Sequence, residues 1–231
     1  MKEDFYKENM VQFFDEVNVL RSEKSRMVKT AQTMRELMIP FLHSVYKDIQ
    51  DGKFLHEKMD LDYITDLITV YETFVNKVDK DILYDSDIIQ KSEQFAKQIH
   101  NTNKNIVNAE TDDGFQNAVR FGIPIKEESI PFSVHERFEG EWTPVEIGIN
   151  ESLFIHNNIR HKEYVSTGRT THTWLTQEDE KVRTPHAEAD GQTVPIDEPF
   201  IIGGYKMMYP GDTLTDNPPG NLTINCRCIE I

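Results

Sequence analysis

The chain has 231 residues, of which 38% are hydrophobic and 28% are charged, and its formal net charge is −15. This composition indicates a globular protein of one large domain or two small ones and excludes a disordered chain. The excess of acidic residues disfavours non-specific binding to nucleic acid, because such binding depends on Lys and Arg displacing counterions from the phosphates. Any contact with DNA would need a local basic patch, and the sequence contains no basic run.

No apolar run reaches the ~18 residues that a membrane-spanning helix needs. The N-terminal residues also lack the apolar stretch of a secretory signal. The two cysteines, Cys226 and Cys228, are separated by one residue, a spacing poorly suited to a disulfide. We therefore expect a protein of a reducing compartment with no membrane partner.

Apolar residues recur at helical spacing through roughly the first 110 residues. This pattern predicts four helices, at about 5–20, 25–49, 60–78 and 86–103, and a short fifth helix after Asp112. Pro40 lies inside the second helix and is expected to kink or split it. The apolar stripes are typical of a helical bundle core. The alternative is that one stripe contacts another protein.

The pattern changes near Gly122, where prolines and alternating apolar residues replace the helical period. Residues 123–149 are therefore predicted to be loop with one or two short strands. Further along, the sequence predicts a helix at 151–164, strands at 171–174, 200–202 and 222–229, and a short turn or helix at 178–183. The predicted fold class is α+β, with a helical bundle-like region at residues 1–121 and a small α+β domain at residues 122–231.

The C-terminal third contains an unusual density of residues with special side-chain or backbone chemistry. Asp190-Gly191 and Pro210-Gly211 are turn dipeptides, in which the glycine tolerates a positive φ. The Tyr209–Asp212 segment is predicted to shape a surface loop between two strands. The complete ordered set is Trp174, Asp179, Val182, Arg183, His186, Asp190, Gly191, Phe200, Tyr209, Pro210, Gly211, Asp212, Asn225, Cys226, Arg227 and Cys228.

Arg183 and His186 share a face of a helical turn, and Asp179 lies four residues before Arg183. One interpretation is a structural polar network, in which Arg183 binds a carboxylate and His186 binds a backbone carbonyl. The other is an Arg/His pair for phosphate or acyl chemistry, which would need a nucleophile or a base within reach. Because no motif marks such a partner, we expect no catalytic residue and a protein that is not an enzyme.

Cys226 and Cys228, together with His172 and His186, form a candidate zinc set, because zinc binds four thiolate or imidazole ligands in a tetrahedron. A spacing of one residue between the cysteines is atypical for zinc. The alternative is two small buried side chains that flank an outward-facing Arg227. We favour the second interpretation and expect no cofactor. The remaining pair, His156 and His161, is predicted to lie on the surface.

The order of these residues over about 164–231 resembles the C-terminal block of the phage Mu F-like minor head proteins, the phage head morphogenesis proteins. That block contains a Trp, an Asp, Val-Arg-x-x-His, Asp-Gly, a Phe, Tyr-Pro-Gly-Asp and a closing Asn-Cys-Arg-Cys, all of which are present here. One position departs from the family pattern, since Ala189 stands where the family usually has Leu. Residues 1–160 carry no such resemblance.

The resemblance implies a minor head protein of a tailed phage or prophage, located in the virion head and, during assembly, in the host cytoplasm. Its implied partners are the portal or capsid protein, and also packaged DNA if a local patch allows it. The alternatives are a toxin-like enzyme, such as a nuclease or an ADP-ribosyltransferase-like protein, and an interaction module held together by a metal. The sequence stops three residues after Cys228, which disfavours an appended toxin domain.

Overall fold

The computed structural model describes residues 2–54, 57–78 and 86–231, with the side chains of residues 2–5 and 57–59 outside that description. The fold is α+β: helices precede a C-terminal region that contains short antiparallel strands. The helices are α1 (Lys2–Asp15), α2 (Arg21–Gln50), α3 (Glu57–Val78), α4 (Ser86–Asn108), α5 (Asp113–Phe121), α6 (Phe132–Phe138), α7 (Trp142–Ser166), α8 (Thr184–Ala189) and α9 (Gly220–Thr223). The strands are β1 (Thr171–Leu175), β2 (Thr193–Pro195), β3 (Phe200–Ile202), β4 (Tyr205–Met207) and β5 (Ile229–Glu230).

The chain forms two compact units, and the first is discontinuous. Unit 1 contains residues 1–32 and 145–231, and unit 2 contains residues 33–144. The units divide after residues 32 and 144. Neither boundary coincides with the one at residue 122 that the change of sequence pattern suggested. The reason is that helices continue beyond residue 122, in α6 and α7, although the helical period of the sequence does not.

Unit 2 is built mainly from helices. Its helix α3 packs against α4, and aromatic rings fill the contact, with the Tyr71 and Phe95 ring centroids 4.9 Å apart. The Tyr63 hydroxyl donates a hydrogen bond to Asp48 at 2.8 Å. Helix α2 runs through Pro40 without being split. These helices confirm the predicted N-terminal helical region.

The loop and strands predicted for residues 123–149 are wrong where α6 and the first part of α7 replace them, whereas the helix predicted at 151–164 lies within α7. Pro144 is tolerated because it lies in the first turn, where a backbone N–H has no partner within the helix. The alternation of Val145, Ile147 and Ile149 suggested a strand, yet all three are buried in a helix. A helix that is buried on several sides loses the periodic polar face by which sequence identifies it.

The β-structure of unit 1 consists of a three-stranded sheet in the order β2-β1-β5 and the separate β3-β4 hairpin. All pairings are antiparallel, and the β1-β5 register places Trp174 opposite Glu230 and Leu175 opposite Ile229. The strands predicted at 171–174 and 200–202 are confirmed. The closing strand predicted over 222–229 is wrong in most of its length, because Leu222 lies in α9 and only Ile229 and Glu230 are paired.

Two hydrophobic clusters lie among the described residues of unit 1. The first joins the N-terminal segment to α7 and β5 and consists of Met10, Phe14, Val17, Met27, Ala31, Val145, Ile149, Leu153 and Ile229. The second lies within the C-terminal segment and consists of Trp174, Ala189, Phe200, Ile202, Met207, Leu222, Cys226 and Cys228. The N-terminal residues are therefore part of the core that supports the C-terminal segment.

This packing predicts that a fragment of residues 142–231 is incompletely folded, because it lacks the N-terminal half of the first cluster. Amide hydrogen exchange should show weaker protection of α7 in the fragment than in the whole chain. A peptide of residues 1–32, added in trans, should restore that protection. Phe14→Ala in the peptide removes a fully buried ring and should abolish the effect.

Leu20→Ala is the matched control for the peptide, since the Leu20 side chain is 71% exposed. This control peptide should act like the unmodified one. A fragment that is as protected alone as it is within the chain would contradict the discontinuous unit.

Candidate functional site

Strand β1 places Trp174 at the centre of the C-terminal segment. The indole is fully buried, and its ring meets those of His186 and Phe200 edge to face, with centroids 5.7 and 5.5 Å away. Three residues of the predicted set are therefore brought into direct contact by β1, α8 and β3. Such edge-to-face pairs fix the mutual orientation of aromatic rings.

Asp179 pairs with Arg227 and not with Arg183, so the predicted partner was wrong. The Arg227 guanidinium donates to both carboxylate oxygens of Asp179, each at 2.7 Å, and to Glu16 at 3.1 Å. Hydrogen bonds from Arg227 lower the pKa of Asp179 below its ordinary value. Arg227 was predicted to face outward, but it is buried, because its planar fork bridges two carboxylates from distant parts of unit 1.

Arg183 has a smaller structural role than predicted. Its guanidinium donates to the backbone carbonyl of Ile224, and the residue is only half-buried. The residue still lies close in sequence to His186 at the start of α8. The network that was expected around Arg183 therefore exists, but it is centred on Arg227.

The Asp190-Gly191 dipeptide forms a tight turn, as predicted. Gly191 has φ +72°, and the Gln192 N–H donates to the Ala189 carbonyl at 2.9 Å, so the glycine occupies the left-handed position of a type II turn. The Asp190 carboxylate accepts a hydrogen bond from the Thr176 N–H at 2.7 Å. This bond ties the turn to the end of β1.

The Tyr209–Asp212 segment is a turn, but it is buried and does not form the predicted surface loop. Gly211 has φ +84°, and the Asp212 carboxylate accepts hydrogen bonds from the N–H groups of Met208 and Leu214, both at 2.8 Å. From α7, the Asn158 amide donates to the Tyr209 hydroxyl at 2.8 Å. The Asp212 side chain, which is 1% exposed, thus holds its own loop together through hydrogen bonds to the backbone.

His186, Cys226 and Cys228 form a buried cluster, as the candidate zinc set anticipated for these three residues. His186 Nδ1 lies 3.2 Å from Cys228 Sγ and 3.5 Å from Cys226 Sγ. A hydrogen bond from Cys228, with a further contribution from His186, lowers the pKa of the Cys226 thiol, whereas the neighbouring Cys226 and burial raise the pKa of Cys228. The two thiols therefore differ in their electrostatic environment.

Asn225 positions this cysteine pair. It adopts a left-handed backbone with φ +54°, a conformation that Asn tolerates better than most residues. Its N–H donates to the Asn150 side chain at 2.7 Å, and its amide donates to Glu146 at 3.2 Å. Both partners lie on α7, so the closing Asn-Cys-Arg-Cys segment is anchored to that helix.

His172 does not join the cysteines. It forms a second cluster with His161 and Glu230, in which Nδ1 of His161 lies 2.9 Å and Nδ1 of His172 lies 3.1 Å from the same oxygen, Glu230 Oε1. His161 was predicted to lie on the surface, but it is 9% exposed, and Glu230 is fully buried. Sequence reasoning missed this cluster because its members lie on three separate elements and carry no local spacing.

His156 was also predicted to lie on the surface and is instead buried in a third polar group. Its Nε2 lies 4.0 Å from Glu23, which accepts a hydrogen bond from Arg160. Burial, reinforced by the charges of Arg160 and Arg26 and opposed by Glu23, lowers the pKa of His156 to about 4. His156 is therefore neutral in the folded protein at physiological pH.

In chemical terms, the predicted site residues are mostly partners of one another in the interior of unit 1. The cluster of His186, Cys226 and Cys228 and the cluster of His161, His172 and Glu230 each bring together side chains of types that bind metal ions. No helix in the described part of the chain combines the length and apolar character that a membrane crossing requires. The chain matches no protein-family model, no curated protein and no solved structure.

The two arginines provide a direct test of the corrected network. Arg227→Ala should lower the melting temperature strongly, because it leaves Asp179 without its bidentate partner. Arg183→Ala should cost only about 1 kcal/mol, the net contribution of one hydrogen bond. Thermal unfolding of both variants at neutral pH makes the comparison. A larger loss in Arg183→Ala would restore the pairing first predicted from the sequence.

The buried His156 should make unit 1 acid-sensitive. Its pKa is about 4 when folded and 6.5 in its ordinary environment, so the unfolded state binds one more proton within that window. The free energy of unfolding should therefore fall as the pH drops from 6.5 to 4, by about 3 kcal/mol from this residue alone. Urea titrations at several pH values would measure the loss.

His156→Gln should flatten this part of the pH profile, because the titrating group is gone. Equal slopes in wild type and His156→Gln would show that other groups cause the acid sensitivity.

Proposed function

We propose that the chain is a minor head protein of a tailed phage or prophage, which binds the portal or capsid protein during head assembly. The observation that carries this proposal is the mutual contact of the motif residues. Trp174 contacts His186, His186 contacts both cysteines, and Asp179 binds Arg227. The ordered set that resembles the head morphogenesis proteins thus encodes one packed module.

The burial of that module supports binding in preference to catalysis. Trp174, His186, Asp212, Cys226 and Cys228 are each at most 4% exposed. Side chains that contact one another in the interior help to determine a conformation, and they are poorly placed to act on a large substrate. The activity of such a protein then resides in its surface, where a partner is bound.

The charge of the chain favours a protein partner over DNA. A net charge of −15 repels the phosphate backbone and is compatible with a protein surface that carries basic residues. We therefore infer that portal or capsid protein is the primary partner. The protein would act in the host cytoplasm during assembly and remain in the virion head.

Unit 2 offers a surface for this contact. Three aromatic side chains within its segment 121–142 are exposed, with Phe121 at 67%, Phe132 at 78% and Trp142 at 51%. Exposed aromatic residues are typical anchors of protein interfaces. We assign the contact with portal or capsid protein to this segment.

The test is incorporation into heads. The chain should co-sediment with particles when it is produced together with the portal and capsid proteins of the same phage genome. Phe132→Ser should reduce the copies per particle by about 5-fold or more, the effect of losing an interface anchor worth over ~1 kcal/mol. Gradient fractions analysed by quantitative mass spectrometry give the copy number, and thermal unfolding should show an unchanged melting temperature.

Val165→Ser is the matched control in unit 1, because Val165 is 51% exposed and lies outside the segment. It should be incorporated like the wild type. A wild-type chain that stays at the top of the gradient would refute the head protein proposal. If that chain also cleaved DNA or transferred ADP-ribose from NAD, the toxin-like enzyme would be the better assignment.

A further inference from the structure

The cluster of His161, His172 and Glu230 joins three elements of unit 1 at one point. His161 comes from α7, His172 from β1 and Glu230 from β5. One ligand atom of each side chain lies within 4.8 Å of the other two, and all three residues are buried. Two imidazoles and a carboxylate that converge in the interior form the donor set of many zinc sites.

The Nε2 atom of His172 already has a hydrogen-bond partner. It lies 2.9 Å from the backbone carbonyl of Glu198 and must donate a proton to it. In the neutral ring, Nδ1 then carries a lone pair, and this lone pair points at Glu230 Oε1. Two lone pairs at 3.1 Å repel each other unless a cation or an added proton lies between them. A histidine held through its outer N–H to a carbonyl is also the usual arrangement of a metal ligand.

The carboxylate of Glu230 distinguishes a bound cation from an added proton. Protonated histidines would satisfy Oε1 only, and Oε2 is buried with no hydrogen-bond partner among the residues that the structure describes. A carboxylate oxygen left unpaired in the interior is costly. A cation bound by both oxygens satisfies the whole group. Arg160 does not supply that charge, because it donates to the backbone carbonyl of Glu230.

We propose that His161, His172 and Glu230 bind one divalent transition-metal ion, with zinc as the best match. Zinc accepts imidazole nitrogen and carboxylate oxygen in a tetrahedron whose edges, for bonds of about 2.1 Å, are about 3.4 Å long. The observed separations of 2.9 and 3.1 Å need to open by only a few tenths of an ångström. Because the site is buried, the ion would be a structural link between α7, β1 and β5. This inference does not rest on the proposed function.

The cysteine cluster is the competing site, and it is the weaker one for a metal. His186 would ligate through Nδ1, which leaves Nε2 as its outer donor. That nitrogen is buried and has no hydrogen-bond partner in the described part of the chain. Metal-binding histidines almost always have such a partner. The test must nevertheless distinguish the two clusters.

The experiment titrates zinc into the whole chain after treatment with a chelator, in competition with a chromophoric zinc indicator. Wild type and Cys226→Ser should both bind one equivalent. His172→Gln and Glu230→Gln should weaken binding by more than about 100-fold, since the loss of a ligand exceeds the effect of losing an outer-shell partner. Removal of zinc should lower the melting temperature of the wild type and leave that of His172→Gln unchanged.

His161→Cys keeps the proposal testable if the glutamine variants do not fold. A thiolate can replace an imidazole as a zinc ligand, so this variant should retain one equivalent of metal. With cobalt(II) in place of zinc, it should gain the near-ultraviolet charge-transfer band of a thiolate ligand. The wild type should lack that band.

Two results would overturn the proposal. The first is a folded wild-type chain that binds no zinc in the titration. The second is binding that is lost in Cys226→Ser but kept in His172→Gln, together with a thiolate band in the cobalt-loaded wild type, which would assign the ion to the cysteine cluster.

Discussion

The pairing of β5 with β1 determines where the polar groups of unit 1 lie. The two strands exchange backbone hydrogen bonds between Thr173 and Ile231, at 2.9 and 3.0 Å, and place Glu230 opposite Trp174. Successive side chains of a strand point to opposite faces. Ile229 therefore enters the first hydrophobic cluster, while Cys228 on the neighbouring position joins the second. This two-residue strand thus connects both cores and brings the Glu230 carboxylate to the two histidines, while the preceding residues bring the thiols to His186.

Local patterns were sufficient to predict the elements whose burial is periodic or whose backbone is special. The N-terminal helices, strands β1 and β3, and the left-handed glycines at 191 and 211 follow from amphipathic spacing and turn chemistry. The helix predicted at 151–164 lies within α7, but the first part of α7, residues 142–150, was missed. The helix is buried on several sides, so its sequence lacks a continuous polar stripe. The polar residues Ser152, Asn157 and Asn158 of α7 are buried together with its apolar ones.

The partners within the site could not be predicted, because they are far apart in sequence. The spacing of four residues made Arg183 the obvious partner of Asp179, yet the partner is Arg227, 48 residues away. His161 and Glu230 are 69 residues apart. Helical spacing identifies only neighbours on one element, whereas the choice between two arginines depends on which one the fold carries into the interior.

The interior of unit 1 contains polar groups whose burial costs desolvation free energy. Glu230, Asp212 and His172 are each at most 1% exposed, and burying such groups gains little stability over an apolar core of the same volume. What a satisfied polar network provides is a single arrangement, because any slip of register leaves a buried group without its partner. The buried polar contacts of α7, β1 and β5 therefore restrict unit 1 to one arrangement of these elements more than they add to its stability.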